Sequence, residues 1–236
     1  MSVATAIDSA GGRAVPGNSV ADRLAGAGGL IFVGTLVVQN VLRANAPGFD
    51  ATPAEVATYF GRAGAAVLVP LGLFPVEMLA VFLFVGAIWT RADRDDNRWW
   101  ASVGALGAAS IAALFAIVNI SEIVLTSKAE QLATAPAVIQ SLWTLHAAAF
   151  GLDLAAIAVA LIGLSRAARS IALIPRWIAV AALPGAACLL TASVFTIALT
   201  QGGAGLLLGL VGFSVWLVFV ATASISLLRG RQIAQA

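Results

Sequence analysis

The chain has 236 residues, of which 61% are hydrophobic and only 10% are charged, and its formal net charge is +2. Roughly a quarter of the residues in a soluble domain are charged, so this composition excludes an ordinary soluble protein and predicts an all-α integral membrane protein. The small net charge gives no reason to expect a nucleic-acid partner. The single cysteine, Cys188, excludes an intramolecular disulfide and any CxxC zinc or redox motif. Twelve arginines against one lysine, with abundant alanine and glycine, are typical of GC-rich bacterial genomes.

The N-terminal segment, residues 1–23, is rich in alanine, glycine and serine and lacks apolar periodicity, which predicts a disordered cytoplasmic tail. The apolar run 24–42 that follows has two interpretations, a signal peptide or a first spanning helix. Arg43 lies inside the would-be cleavage region and Pro47 follows it closely. We therefore predict a spanning helix.

A short helix is predicted after this span, because Thr52, Pro53 and Glu55 form an N-cap, a first helical turn and a capping box. We expect this helix to extend through Phe60. Its apolar and aromatic side chains suit a helix lying at the outer membrane interface. A lid over a cavity is the alternative interpretation.

Six apolar runs are long enough to cross about 30 Å of hydrocarbon. They predict a single transmembrane domain over residues 24–228, a polytopic bundle of six helices, followed by a tail at 229–236. The predicted spans are 24–42, 65–89, 99–125, 142–164, 177–200 and 206–228.

The distribution of positive charge predicts the orientation of this bundle, because lysine and arginine collect on the cytoplasmic side. With the N-terminus inside, ten arginines fall in the inner segments. Three basic residues fall in the outer segments, namely Arg43, Arg62 and Lys128. We therefore expect a multi-pass protein of the cell membrane with both termini cytoplasmic and the lipid bilayer as its partner.

One helical stripe in the fourth span concentrates the polar chemistry of the chain. At 3.6 residues per turn, Trp143, His146, Phe150 and Asp153 share a face. An ionisable group at membrane depth is costly and normally points into a bundle or a wet cavity. This stripe is therefore predicted to face protein and to contribute to a binding site.

Two polar layers are predicted from a rise of 1.5 Å per residue. Glu77 lies about 18 Å below the outer end of its span and Asp153 about 16 Å below the outer end of its own, so both are placed near the mid-plane. If their helices are neighbours, the two acids share a proton. His146 lies about 10 Å from Asp153 along the helix, too far to share a metal ion, so its predicted partner is Glu122. The outer layer comprises Gln39, Asn40, Asn119, Glu122 and His146.

The membrane region is predicted to contain carboxylates, one histidine and no lysine or arginine. Unpaired carboxylates in such surroundings hold protons or receive a cation. The alternative is that Glu77 and Asp153 are protonated residues that only hydrogen-bond neighbouring helices. One histidine and one cysteine leave too few ligands for a zinc or haem site, and no recognised hydrolase or nucleotide-binding motif is present. We predict no metal, no cofactor and no assignable catalytic residue.

Residues 140–187 carry a resemblance to a known family. The run from Ser141 to Asp153, the Gly-Leu-Ser-Arg run ending at Arg166, and the Leu-Ile-Pro-Arg-Trp run ending at Trp177 resemble a bacterial family of six-span membrane proteins of unknown function. This resemblance implies the six-helix layout. It implies no activity and transfers no functional residues.

Three functions from different classes follow from these observations. The first is binding or passage of a small cationic or amphipathic solute, or of protons, through an outward-facing polar cavity among the first four spans. The second is a membrane-embedded enzyme acting on a lipid-like substrate, with Asp153 or Glu77 as acid or base. The third is a non-catalytic accessory or scaffold subunit whose polar groups only specify helix packing. We favour the first, a protein that is not an enzyme.

Overall fold

The computed structural model describes residues 19–92, 96–203 and 205–230, and no strand occurs among them. The nine helices are α1 Val20–Leu42, α2 Pro53–Gly61, α3 Ala65–Arg91, α4 Asp96–Ser127, α5 Ala129–Leu132, α6 Pro136–Ser170, α7 Arg176–Val194, α8 Thr196–Leu199 and α9 Gly205–Arg229. Six of these, α1, α3, α4, α6, α7 and α9, are long and apolar enough to cross a membrane. The predicted all-α, six-span integral membrane protein is thereby confirmed.

The helix boundaries follow local signals in the sequence. Ser19 caps α1 through a capping box with Asp22, so this helix begins four residues before the predicted start, and most of the predicted N-terminal tail lies outside the described residues. Pro136 occupies the first turn of α6, where its missing N–H is harmless. The predicted fifth span is divided at Phe195 into α7 and α8. There the Thr196 hydroxyl donates a 2.6 Å hydrogen bond to the Ser193 carbonyl, a contact that competes with helix continuation.

Helix α6 lies at the centre of the bundle and is the most buried of the six spans. It packs most extensively on α4, and also on α7 and α9. Small residues permit the closest approach, because a Cβ added to Gly104 of α4 would lie 2.7 Å from the backbone nitrogen of Leu164. The other principal pairs are α1 with α3, α1 with α9, and α7 with α9. A continuous apolar core joins these six helices.

Helix α2 forms as predicted, from the capping box between Thr52 and Glu55. Hydrogen bonds from the Thr52 backbone N–H and hydroxyl hold the pKa of the Glu55 carboxyl below its usual range. The side chains of Val56 and Phe60 are fully buried and join a second apolar cluster with residues of α3, α4 and α6. Helix α2 therefore covers one end of the bundle.

We call this end of the bundle the Arg43 end. Here α1 ends, α3 begins, and the short helices α2, α5 and α8 lie. The opposite end contains the last turn of α3, the 171–175 connection and most of the described arginines. An ion pair of 2.6 Å between Asp22 and Arg91 joins α1 to α3 there, and Arg166 lies 5.3 Å from the ring centroid of Trp100.

Candidate functional site

A cavity of about 250 Å³ lies between α1, α3, α4, α6 and α9, and we call it the central cavity. Most of its lining is apolar. Its ionisable and amide side chains come from α1, α3 and α6, and from the residue that follows α1. These polar residues are Gln39, Asn40, Arg43, Glu77 and Asp153.

The central cavity occupies the half of the bundle nearest the Arg43 end. Its deepest lining residues include Phe32 and Trp216, whose rings form an edge-to-face pair with centroids 6.4 Å apart. At 1.5 Å per residue, Phe32 lies about 15 Å from the end of α1 and Trp216 about 16 Å from the start of α9. The pair therefore forms a floor near the middle of the bundle, while Arg43 lies at the rim.

The sixth span forms one whole wall of this cavity, which corrects the prediction of a cavity among the first four spans alone. Helix α9 carries no ionisable residue before its last turn, so its sequence contains no buried charge that would predict a place at the cavity. Helical spacing was the available signal, since these residues recur every three or four positions. The α9 wall consists of Leu206, Gly209, Leu210, Phe213 and Trp216.

Glu77 is completely buried and is bound by a residue of the neighbouring helix. The Gln39 side-chain nitrogen donates a 2.6 Å hydrogen bond to Oε1 of Glu77. The second oxygen, Oε2, is buried and has no hydrogen-bond partner among the described residues. The Thr35 hydroxyl of α1 also lies near the Glu77 carboxyl group, but it donates to the Ile31 and Phe32 carbonyls of its own helix. Of the two carboxyl oxygens, Oε1 is therefore satisfied within the protein and Oε2 is not.

Gln39 was predicted to lie in the outer polar layer and Glu77 near the mid-plane, yet their side chains are in contact. The prediction of separate layers is therefore wrong for this pair. Gly28 of α1 lies against Ala80 of α3, which places Gln39 level with Pro70 and about 10 Å from Glu77 along the axis. Side chains of a helix lean toward its N-terminus, and α1 and α3 are antiparallel. The two side chains therefore lean toward each other and meet.

Asp153 lies on the α6 side of the central cavity and is 5% exposed. Its Oδ1 atom is buried and receives no hydrogen bond from any residue that the structure describes. Its cavity neighbours on the same helix are apolar, namely Phe150, Leu154 and Ile157. Asp153 and Glu77 thus line one cavity, each with an unpartnered oxygen atom.

A basic residue reaches one of the buried acids, in contrast to the prediction that the membrane region would contain no lysine or arginine. Arg43, assigned from the sequence to an outer connection, contacts the Glu122 carboxylate of α4 at 2.5 Å. The side chain of Glu122 is 4% exposed and that of Arg43 is 21% exposed. Snorkelling explains the error, because a long arginine side chain at a helix end extends to a group several ångströms away.

His146 and Glu122 lie near each other, with the His146 Nδ1 atom 3.7 Å from Oε1 of Glu122. This distance exceeds that of a hydrogen bond. The ring of His146 packs instead against Trp143 and Phe49, with centroids 4.4 and 6.0 Å apart. Trp143 in turn donates a 3.0 Å hydrogen bond to the Gly48 carbonyl, which attaches the 43–52 connection to α6.

The predicted stripe of α6 faces protein, as expected, but the predicted site residues do not form a single site. Gln39, Asn40, Glu77 and Asp153 line the central cavity. Three others lie outside its lining, namely Asn119, Glu122 and His146. The Asn119 side-chain nitrogen donates to the Phe115 carbonyl of its own helix, while its oxygen is buried without a partner.

Tyr59 of α2 is a further residue near the Arg43–Glu122 ion pair that the sequence did not identify as part of this group. Burial raises the pKa of the Tyr59 phenol; the charge of Arg43 opposes this rise and that of Glu122 adds to it. The hydroxyl is buried without a hydrogen-bond partner in the described structure. No group of three or more metal-ligating side chains is found among the described residues.

Comparisons of the chain with protein-family models, with curated proteins and with solved structures found no match. The fold and the cavity define the class, an integral membrane protein of six helices that encloses a largely apolar cavity with two buried acids. The resemblance of residues 140–187 to a bacterial six-span family stays a prediction.

Proposed function

We propose that the protein binds a small cationic or amphipathic solute, or protons, in the central cavity and passes it across the membrane. One observation carries this proposal: Glu77 and Asp153 line the same apolar cavity, and each has a buried oxygen atom without a partner. Buried polar atoms are almost always hydrogen-bonded, so such atoms call for a missing donor.

The balance of charge around the cavity supports a positive ligand. Arg43 is the only basic residue of the described cavity lining, and it is paired with Glu122. Among the described residues of the lining, Glu77 and Asp153 therefore have no basic residue that is not already paired with another acid. A carboxylate in a dry site is favourable only when it is protonated or paired with a cation.

The test uses the full-length protein in detergent, with the fluorescence of Trp216 on the cavity floor as the readout. We would titrate sodium ions, small protonated amines and neutral alcohols of matched size into the wild type and into a Trp216→Phe control. A saturable signal for a cation that requires Trp216, and that disappears in Asp153→Asn, is the expected result. Glu130→Gln, which removes an exposed acid outside the cavity, is expected to leave it unchanged.

Proton binding has its own readout, the infrared absorption of protonated carboxyl groups. If the cavity holds protons, wild type should show a pH-dependent band that weakens in Glu77→Gln and in Asp153→Asn. Absence of both this band and any saturable cation signal would contradict the proposal and favour a scaffold. A neutral alcohol that binds equally well to wild type and Asp153→Asn would favour a lipid-like ligand instead.

We also propose that both termini are cytoplasmic, because the end of the bundle with the 171–175 connection carries most of the arginines. Cysteines placed at Thr134 near the Arg43 end and at Ser170 near the opposite end, both exposed, test this in a Cys188→Ala background. An impermeant thiol reagent should label intact cells only at position 134. Labelling only at position 170 would reverse the orientation.

A further inference from the structure

On the basis of the proposed function, we infer that the solute is a monovalent amine with at least one N–H group in its protonated form. It also carries one compact apolar group, preferably a single aromatic ring. In this arrangement the ammonium group binds Asp153 and the apolar group lies against the α9 wall. Two features support this assignment. Glu77 accepts a hydrogen bond within the protein whereas the buried oxygen of Asp153 does not, and the cavity has a polar side and an apolar side.

Asp153 is the anchor for the cation because no described residue donates a hydrogen bond to its buried Oδ1 atom. Glu77 differs, since Gln39 already donates to its Oε1 atom. An ammonium group supplies the donors and the charge that Asp153 lacks. A solute bound at Asp153 therefore satisfies the most incompletely partnered acid of the cavity.

The ligand must carry an N–H group, because the unpartnered oxygen of Asp153 requires a hydrogen-bond donor. A quaternary ammonium ion has a positive charge but no donor. Such an ion would leave Oδ1 buried and without a hydrogen bond, at a penalty comparable to that of losing the bond. Primary and secondary amines are therefore preferred to their fully methylated analogues.

The apolar group is required by the opposite side of the cavity. The α9 wall offers no charged side chain and no hydrogen-bond acceptor to a second ammonium group, because its one polar side-chain atom is the indole nitrogen of Trp216, a donor. Aromatic rings surround the space from several helices and attract both apolar groups and cations. These rings belong to Phe32, Phe115, Phe150, Phe213 and Trp216.

The volume of the cavity limits the size of this group. An apolar cavity of about 150 Å³ accommodates a benzene molecule. The central cavity, at about 250 Å³, therefore has room for one ring together with a short chain and an ammonium group. It has no room for a steroid-sized solute.

Gly209 lets the α9 wall lie close to α6 beside the cavity. A Cβ at Gly209 would lie 3.2 Å from a terminal methyl carbon of Leu154, a lining residue, and 3.7 Å from the Cβ of Ala192, which lies outside the lining. A valine there would therefore push the Leu154 side chain toward the space that a ring would occupy. Since methylammonium does not reach this wall, the same substitution distinguishes large from small amines. Gly209→Val is thus a size-selective variant.

The experiment measures dissociation constants for full-length protein by isothermal titration, with phenethylammonium as the principal probe. We expect Asp153→Asn to weaken its binding at least about tenfold, as for the loss of a charge-assisted hydrogen bond. Glu77→Gln should weaken it less than about threefold. Gly209→Val should weaken phenethylammonium binding but not methylammonium binding.

Three ligand comparisons complete the design. Phenethyl alcohol, which is neutral and of matched size, should bind more weakly than phenethylammonium. Phenethyltrimethylammonium should bind more weakly than a primary phenylalkylamine with the same number of heavy atoms. The diamine 1,4-diaminobutane should also bind more weakly than phenethylammonium.

The outcomes separate this inference from the function it rests on. Tighter binding of the quaternary ion or the diamine, or equal effects of Asp153→Asn and Glu77→Gln, would overturn the inference while the cation-binding proposal stands. Binding of the neutral alcohol alone would overturn both. If no probe binds and the infrared carboxyl band remains, the cavity holds protons and the amine inference is wrong.

Discussion

Arg43, the C-cap residue of α1, and Glu122 of α4 form an ion pair with 2.5 Å between nitrogen and oxygen. The two residues are 79 positions apart in the sequence, so the pair is a long-range contact between the end of α1 and α4. Arg43 also lines the central cavity, so the pair lies at the cavity rim and neutralises the only basic group in the described lining. Among the described lining residues, this arrangement leaves Glu77 and Asp153 without a basic residue of their own.

Arg43→Gln is expected to destabilise the protein more than Glu122→Gln does. Removing the arginine leaves the buried Glu122 carboxylate without its ion-pair partner and with Nδ1 of His146 3.7 Å away, whereas without Glu122 the partly exposed arginine can turn toward solvent. Because 21% of the Arg43 side chain is exposed, we expect about 2 kcal/mol, below the ~3–5 kcal/mol typical of fully buried pairs. Thermal unfolding in detergent measures this, with exposed Arg62→Gln as control.

The double variant Arg43→Gln with Glu122→Gln should be more stable than Arg43→Gln alone. Replacing both charges removes the stranded carboxylate, so the two substitutions are not additive. Additive losses would show that the two side chains do not interact in the folded protein.

Gln39→Ala is expected to cost about 1–3 kcal/mol, because it removes the donor to a buried carboxyl oxygen of Glu77. The adjacent Asn40 provides a matched control. Its side-chain nitrogen donates only to the Leu36 carbonyl of its own helix, and the residue is exposed. Asn40→Ala should therefore change the free energy of unfolding by less than about 0.5 kcal/mol. Equal losses from the two variants would contradict a specific role for the Gln39–Glu77 bond.

The six spans were predictable because their signal is local. An unbroken apolar run of sufficient length specifies a spanning helix whatever surrounds it, and the Thr52-Pro53 cap specifies the start of α2 in the same way. Helical periodicity also identified the face of α6 that carries Asp153. That face is buried in the structure.

The contacts between helices were less predictable, because periodicity gives the face of a helix and not its neighbour. Arg43 was assigned to a connection by its position after an apolar run, and its pairing with Glu122 depends on how α1 and α4 are arranged. The contact of Gln39 with Glu77 depends on the relative height of two antiparallel helices. The α9 wall was not predicted because it contains no ionisable residue, although the function of the cavity depends on its shape.

Gly104→Ala is expected to destabilise the packing of α4 on α6, although alanine is the better helix former. The added Cβ would lie 2.7 Å from the Leu164 backbone nitrogen, which cannot move without separating the helices. We expect a net loss of about 1–3 kcal/mol from overpacking. Gly86→Ala is the control, since nothing lies within 4 Å of its added Cβ. That substitution should be neutral or stabilising by up to about 1 kcal/mol. Comparable apparent melting temperatures for the two variants would contradict the close α4–α6 contact.

Tyr59 offers a spectroscopic test of the Arg43 end, because it is the only tyrosine of the chain. The rise of phenolate absorption with pH therefore reports one residue. Burial raises the pKa of the Tyr59 phenol above its usual 10.0, so we expect the absorption to rise at higher pH than in the unfolded chain. Glu122→Gln should lower this pKa, because it removes a negative charge that opposes the phenolate and leaves Arg43 to favour it.

The same shift predicts a loss of stability at alkaline pH. A group whose pKa is higher in the folded protein than in the unfolded chain contributes stability that is complete below the unfolded value, here 10.0. This contribution is lost as the pH rises from there through the folded pKa, since the unfolded chain releases the proton first. Tyr59→Phe should remove that part of the pH dependence and leave the rest, as measured by thermal unfolding between neutral and strongly alkaline pH. If Tyr59 ionises at its ordinary pKa, or if Glu122→Gln does not move it, the tyrosine does not lie beside the Arg43–Glu122 pair.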